Sequence, residues 1–207
     1  MIMTADITRI LSDVRARCPG AQMTNVQAEL FAYIRWFCSW TNVWTENIDV
    51  SIIPTETTYS IAPADGGRII RLLRLYNSTD PRQHPVGPVM MSIPGTLVLE
   101  FAPTLPATWV ARVAKTVVDP TDADDTPVIP AWITGQYAEA FTNGTLGRLM
   151  IQPAKPYSNV QLGGYHTKLA RAEACDARVE ALKANLYGGQ VWRFPQSFNP
   201  VRGQRGA

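Results

Sequence analysis

The spacing of apolar residues predicts two helices at the start of the chain. Residues 5–17 place apolar side chains at the i, i+3, i+4 and i+7 positions of one helix face, and these are Ile7, Ile10, Leu11 and Val14. A Pro-Gly pair at 19–20 ends this pattern. A second helix is predicted from Thr24, which fits a capping box with Gln27, to Ser39 or Thr41. Aromatic residues widen its apolar stripe, so this helix must be covered on more than one side.

From residue 46 the period changes from helical to alternating, which predicts β-strands. Apolar or β-forming residues alternate over 48–52 and again over 57–61. Residues 68–76, RIIRLLRLY, fit two elements: arginines at spacing three would line one side of a helix, whereas the β-branched start and Gly66–Gly67 favour a strand. We interpret them as a strand. A proline-rich loop over 77–88 and two further strands, 96–101 and 107–118, complete this region.

The last part of the chain returns to a helical period. An aspartate- and proline-rich connection over 119–130 closes the β region, and a helix is predicted from Pro130 to Met150. After a turn at 153–157, a long helix follows from Val160 to Tyr187, although Gly163–Gly164 could delay its start. Its pattern is marked by Leu162, Leu169, Val179, Leu182 and Leu186, with many alanines between them. Gly188–Gly189 ends it.

These elements predict an α+β fold: mainly a helical bundle of about four helices, with an inserted small antiparallel β region and an extended C-terminal tail. We divide the chain into N-terminal bundle helices (1–45), a β insertion with its loops (46–127), C-terminal bundle helices (128–188) and the tail (189–207).

Composition and net charge disfavour some classes of function. The chain has 207 residues, a formal net charge of +2 and only 17% charged residues, against about 25% in ordinary soluble domains. The small net charge disfavours sequence-nonspecific DNA binding as the main activity. The low charge fraction indicates that part of the surface is covered by partners.

Charges within the first twenty residues argue against a signal peptide, and no apolar run is long enough to span a membrane. Three cysteines without zinc-type spacing indicate reduced thiols and a cytoplasmic origin.

The sequence shows little catalytic chemistry. Only His84 and His166 are available as histidines, and no serine-hydrolase elbow, phosphate-binding loop or zinc-protease motif accompanies them. We therefore predict no enzymatic activity, no cofactor and no metal. An alternative is a small enzyme or ligand-binding domain that uses His166 and nearby acids such as Glu173. We interpret the aromatic run Trp36, Phe37, Trp40 and Trp44 as core, and Arg68, Arg71 and Arg74 as a solvated face.

Two segments are candidate interaction sites. The tail combines aromatic anchors with basic residues and no acid, a composition that suits docking onto another subunit more than disorder; the candidate residues are Trp192, Arg193, Phe194, Phe198, Arg202 and Arg205. The connection carries four aspartates, Asp119, Asp122, Asp124 and Asp125. They lack the glycine and terminal glutamate of an EF-hand, so we interpret them as a solvated acidic loop and not as a metal site.

The order of motifs resembles the head-to-tail adaptor (connector) proteins of tailed bacteriophages. The matching pieces are the aromatic second helix running into a tryptophan, ELFAYIRWFCSWTNVWTENI, and the β region with TTYSI. They continue with the helix PAWITGQYAEAFTNGTLGRLM, the turn PAKPYSN and a long final helix before an aromatic tail. Tyr157 stands where tryptophan is the commoner residue of the family.

This resemblance implies a structural virion protein without catalysis. It implies a ring, commonly of twelve copies, that joins the portal protein to the tail or nozzle proteins at the head-tail junction and lets genomic DNA pass through its channel. It also implies that the tail extends against the portal. Assembly would take place in the host cytoplasm, without a membrane. We expect the aspartate loop to face the channel or the tail, where its charge would repel DNA. Another phage neck or tail-completion protein is the alternative within the same context.

Overall fold

The computed structural model describes residues 5–64, 66–80, 89–118 and 128–185. The helices in these ranges are α1 (Ala5–Arg17), α2 (Met23–Thr41), α3 (Ala131–Gln136), α4 (Ala138–Met150) and α5 (Val160–Asn185). The strands are β1 (Thr45–Ile52), β2 (Thr58–Ser60), β3 (Arg68–Asn77), β4 (Val89–Ile93), β5 (Thr96–Leu99) and β6 (Ala107–Thr116). The fold is therefore α+β, with helices on either side of the strands in sequence, as predicted. The four-part division of the chain stays a prediction.

The helices enclose the larger of two hydrophobic cores. The predicted stripe of α1 is buried, and Phe37 of α2 lies at the centre of the bundle with no exposed surface. Its ring contacts Tyr137 and Phe141, with centroids 5.0 Å and 5.2 Å away. Edge-on contacts of this kind add to the free energy of burial. Of the predicted aromatic core, Phe37 and Trp44 are buried. The prediction is wrong for Trp36, which is exposed and stacks on the half-buried Trp40.

The start of α2 differs from the prediction. The capping box at Thr24 is wrong, because the helix begins at Met23 with Gln22 as its N-cap and no side chain bonds to the free N–H groups. The Val26 N–H donates to the Gln22 carbonyl, so Thr24 already lies inside the first turn.

The predicted helix from Pro130 to Met150 is two helices. Pro130 is the N-cap of α3 and not its first helical residue, since its carbonyl accepts from Ile133. Tyr137, at φ −111° and ψ 25°, leaves helical geometry and separates α3 from α4. The packing of its ring on Phe37 accompanies this break. The end of α5 at Tyr187 and the glycines after it lie outside the described residues, while Gly163–Gly164 does not delay its start.

The strands form two antiparallel three-stranded sheets, sheet A (β1-β6-β3) and sheet B (β2-β5-β4). A second hydrophobic core fills the space between them. Ala111 and Val113 of β6 point into this core. Because side chains alternate along a strand, Arg112 between them points to the opposite face of sheet A.

Two β-bulges explain the ambiguous spacing of β3, and its interpretation as a strand is confirmed. The register with β6 shifts between Ile69 and Arg71 and again between Leu72 and Arg74. Each shift adds one residue to β3, so a spacing of three keeps residues on the same face of the sheet. This face packs Ile69, Leu72 and Leu75 against the core between the sheets.

Strand β4 is missing from the prediction, which left residues 89–93 unassigned. It pairs with β5 across the tight turn Pro94–Gly95, where Gly95 has a φ of +90° that favours glycine. The Pro-Gly pair was the available turn signal. The strand itself, VMMSI, shows no alternation of polar and apolar residues.

Hydrogen bonds join sheet A to the end of α2. The Lys115 backbone N–H donates to the Trp44 carbonyl at 2.8 Å, and Arg71 donates through Nη2 to the Ser39 carbonyl at 3.0 Å. The strands therefore continue directly from the helical bundle.

Candidate subunit interface

The face of α5 that points into the bundle consists mostly of small residues, with His166 as the large exception. Gly163, Ala170, Ala174, Ala177 and Ala181 are buried at helical spacing against the rest of the bundle. A Cβ on Gly163 would lie 2.9 Å from the Ile151 side chain and 3.3 Å from the Gly147 carbonyl oxygen. Helix α4 adds Gly147 on its side, where a Cβ would meet Thr167 and the Gly163 carbonyl oxygen. At this crossing the two backbones approach so closely that neither glycine has room for a side chain.

The large apolar side chains of α5 point away from the bundle. Tyr165, Ala172 and Val179 are seven residues apart, so they form one line along the helix, and all three are exposed. Three exposed leucines flank this line, and they are Leu162, Leu169 and Leu182. Tyr165 exposes 56% of its surface and both Val179 and Leu182 expose 49%. We call Leu162, Tyr165, Leu169, Ala172, Val179 and Leu182 the outer face of α5.

An exposed apolar helix face of this kind is a candidate contact surface. The helix spans about 39 Å at 1.5 Å per residue, and its 26 residues carry these apolar side chains from the first turn almost to the end, with the exposed Asp176 and Lys183 among them. Contiguous exposed apolar patches mark interaction sites in soluble proteins. Cys175, the exposed cysteine, lies beside the same face, while Cys18 and Cys38 are buried.

Arginines and aromatic rings border the outer face where α5 meets α2. The Arg178 guanidinium lies 4.8 Å from the centre of the Trp40 ring, which stacks on Trp36 at 5.7 Å. A cavity of 220 Å³ follows along the same junction, lined in part by Tyr33, Trp36 and Arg171. Arginine over tryptophan is a favourable cation–π contact.

The structure brings the alternative site residues His166 and Glu173 together through Asn143. The His166 Nδ1 lies 2.9 Å from the Asn143 Oδ1, and the Asn143 Nδ2 donates to Glu173 at 3.3 Å. Because an amide oxygen only accepts, Nδ1 carries the proton of a neutral His166. Burial, with a smaller effect of the Arg17 charge, lowers the pKa of His166. Burial also raises the pKa of Glu173, and Glu139 and Asp176 add to this.

This trio has the geometry of a hydrogen-bond network between α4 and α5. His166 is only 7% exposed, so its ring lies between the helices and not on the surface. A polar cleft of 640 Å³ opens beside this network, between α1 and α4. Asn143 belongs to the network and also lines the cleft. Arg9, Asp13, Arg17 and Glu139 also line the cleft.

The site residues predicted from the sequence lie elsewhere. The six tail residues fall within 186–207, the four aspartates fall within 119–127, and His84 falls within 81–88, all outside the described residues. The structure places the start of the tail segment at the C-terminal end of α5 and the ends of the aspartate segment after Val118 and before Val128. Sequence reasoning missed the outer face of α5. The signal was the seven-residue repeat of Tyr165, Ala172 and Val179 beside a separate stripe of alanines.

Metal-ligand clusters and membrane-spanning helices were sought in the described part of the chain. No three of its His, Cys, Asp and Glu side chains come together as a metal site. None of its helices is long and apolar enough to cross a membrane.

Comparison with known proteins finds no match, either among models of protein families or among curated protein sequences.

Proposed function

We propose that this protein is a structural subunit of a tailed-bacteriophage virion, a head-to-tail adaptor that forms a ring between the portal and the tail. In this role it has no catalytic activity. Copies assembled in the host cytoplasm surround the DNA channel, with the portal on one side and tail or nozzle proteins on the other. The order of motifs along the chain and the α+β fold agree with the resemblance described above.

The outer face of α5 is the observation that supports this proposal most. A ring subunit needs apolar surface on its flanks, because each copy contacts two neighbours. A 26-residue helix with its small side chains inside and its large apolar side chains outside supplies such a surface. Burial of apolar area on association is the main favourable term in assembly.

The tail supplies the contact with the portal in this proposal. Trp192, Phe194 and Phe198 act as apolar anchors, and Arg193, Arg202 and Arg205 add positive charge. Aromatic residues and arginine are the types that dominate binding energy at interfaces. The segment follows α5 directly, so the helix that contacts neighbours also carries the portal anchor.

Co-sedimentation with portal rings tests this function. Purified protein is mixed with the portal protein of the same phage, and the mass of the complex is measured. We expect a defined ring of copies on the portal, lost when residues 189–207 are removed. A triple variant, Trp192→Ala, Phe194→Ala and Phe198→Ala, should lose binding as well.

The matched control changes polar residues of the same tail, Gln196→Ala and Ser197→Ala, and should bind like the unchanged protein. Failure of the full chain to bind the portal contradicts the adaptor role and moves the proposal to another neck or tail-completion protein. Full binding by the truncated chain contradicts the role of the tail.

The polar cleft favours a second candidate function, binding of a small charged ligand. Arg9, Asp13 and Arg17 of α1 and Glu139 of α4 line this cleft of 640 Å³, with the His166 network beside them. Thermal unfolding in the presence of a panel of zwitterionic and anionic small molecules tests this candidate. A ligand that binds the native state raises the unfolding temperature. No shift at millimolar concentrations would remove it.

A further inference from the structure

Within the described part of the protein, one face of sheet B is uncovered, as is the outer face of α5. Tyr59, Leu97 and Leu99 point into the core, so the alternate residues point outward. Met90, Val98 and Thr58 form one row across the three strands by register. Met90 and Ile93 each expose 64% of their surface. We call Thr58, Met90, Ile93 and Val98 the outer face of sheet B.

The two uncovered faces lie on different sides of sheet A. Arg112 of β6 lines a cavity together with Glu180 and Ala184 near the C-terminal end of α5. Its neighbours Ala111 and Val113 point the other way, into the core shared with sheet B. Sheet A therefore separates the end of α5 from sheet B. One copy cannot cover its own α5 with its own sheet B.

The charges around these faces are complementary. The exposed charged residues of α5 are four cations, Lys168, Arg171, Arg178 and Lys183, and two acids, Asp176 and Glu180. The segments that form sheet B and its turns, 55–64 and 89–106, hold Glu56 and Glu100 and no lysine, arginine or histidine. Both glutamates are exposed. Complementary charges steer association and fix the register of an interface.

We infer that the outer face of α5 of one copy packs on the outer face of sheet B of the next copy. A helix face on a sheet face is a common way to bury two apolar surfaces. Because two different surfaces meet, the contact is head-to-tail, and repetition of such contacts generates a ring when the rotation closes. This inference rests on the proposed function, since it identifies the lateral contact of the ring.

Two charge insertions and their mixture test the contact. Val179→Glu damages the outer face of α5, and Met90→Glu damages the outer face of sheet B. Both side chains are exposed, so both variants should fold, which circular dichroism checks. The matched control is Val160→Glu, because Val160 is 69% exposed on α5 but lies outside its outer face. Assembly is measured by sedimentation velocity, alone at rising concentration and with portal rings.

We expect each damaging variant to weaken self-assembly by about tenfold or more, because an unpaired carboxylate would be buried in an apolar contact. The control should assemble like the unchanged protein. An equimolar mixture of the two variants should form one-to-one pairs and nothing larger. In such a pair the intact α5 of the Met90→Glu chain meets the intact sheet B of the Val179→Glu chain, and both remaining faces are damaged.

Other outcomes overturn the inference. Assembly of either damaging variant like the unchanged protein contradicts it, as does a mixture that forms no pairs. Dimers of the Met90→Glu variant alone would show a symmetric α5–α5 contact instead. If both variants still form a ring on the portal, the adaptor function is supported and the contact between α5 and sheet B is contradicted. If self-assembly responds to the variants as expected but the protein does not bind the portal, the contact is supported and the adaptor function is contradicted. A chain that stays monomeric with and without portal contradicts both.

Discussion

The Lys115 ammonium lies 2.7 Å from a carboxylate oxygen of Glu46 and 4.8 Å from the centre of the Trp44 ring. Lys115 is only 1% exposed, although lysine is rarely buried. The contact joins β6 to the start of β1 at the point where the strands leave the bundle. It therefore sets how the β region continues from the helices.

Removal of the Glu46 carboxylate should weaken the stabilisation of the buried ammonium. We expect Glu46→Gln to lower the free energy of unfolding by about 2–4 kcal/mol, because the buried lysine loses this short ionic contact. The double variant Glu46→Gln with Lys115→Met should regain part of this loss, since no charge is then buried. Urea denaturation measures both values.

The pair Arg148–Glu29 offers a matched control on the surface. Its atoms are 2.6 Å apart, but the arginine side chain is 44% exposed. Arg148→Met should therefore cost less than about 1 kcal/mol. A cost for Glu46→Gln no larger than this would show that the buried pair is unimportant.

Gly144 should not tolerate a side chain. The Tyr33 ring occupies the space that a Cβ on Gly144 would need, and the Tyr33 hydroxyl is held by the Ala170 carbonyl at 3.2 Å. We expect Gly144→Ala to destabilise the fold by about 1–3 kcal/mol through overpacking. Thermal or urea unfolding measures the effect.

Gly164 is the control for this change. It is also helical, but a Cβ there meets nothing within 4 Å. Gly164→Ala should stabilise the protein by up to about 1 kcal/mol, because alanine favours helix. Equal effects at the two glycines would mean that Tyr33 moves aside without cost.

The two faces of α5 should differ in how well they tolerate the same enlargement. Ala174 is fully buried and Ala172 is exposed, and both lie in the middle of the helix. Ala174→Leu should destabilise the monomer by about 1–3 kcal/mol, whereas Ala172→Leu should stay within about 0.5 kcal/mol. Denaturation at low protein concentration compares them. A tolerated Ala174→Leu would contradict the close packing of α5 on α4.

Stability should fall when the pH drops below the usual pKa of histidine, 6.5. The folded pKa of His166 is lowered, so the unfolded chain binds a proton before the folded chain does. The contribution of neutral His166 is complete above 6.5 and is lost as the pH falls. Glu173 acts in the opposite sense at more acidic pH, because its folded pKa is raised above 4.5.

Unfolding free energies at pH values of about 7.5 and 5.5 test this prediction. His166→Gln removes the titrating ring and can still donate to Asn143, so it should make the difference between the two pH values smaller. An unchanged difference would mean that another group controls the pH dependence.

Neutral aspartates should alter DNA passage but not assembly. If Asp119, Asp122, Asp124 and Asp125 face the channel or the tail, their charge repels DNA. The fourfold change to asparagine should leave ring formation on the portal unchanged and alter DNA ejection. Ejection at the rate of the unchanged virion would contradict the proposed position of this loop.

Local patterns predicted the type and order of most elements. The stripe of α1 and the alternation of β1 each fit one period, and each has one face that burial can use. Strand β3 was recognised from its glycines and β-branched residues, although its spacing of three depends on bulges that only pairing with β6 reveals. Strand β4 and the break at Tyr137 were missed because the contacts that accompany them, with β5 and with Phe37, come from residues distant in sequence.

The sequence by itself determined that a long helix follows residue 160, with large apolar residues at helical spacing and many alanines between them. The alanines also recur at helical spacing, so periodicity cannot tell which of the two sets is buried. The tertiary structure decided it. Gly147 of α4 and Gly163 of α5 lie so close together that neither has room for a Cβ, and Leu162, Tyr165, Val179 and Leu182 are left on the outside. The free energy of packing depends on the shape of the opposing surface, and that shape exists only after folding.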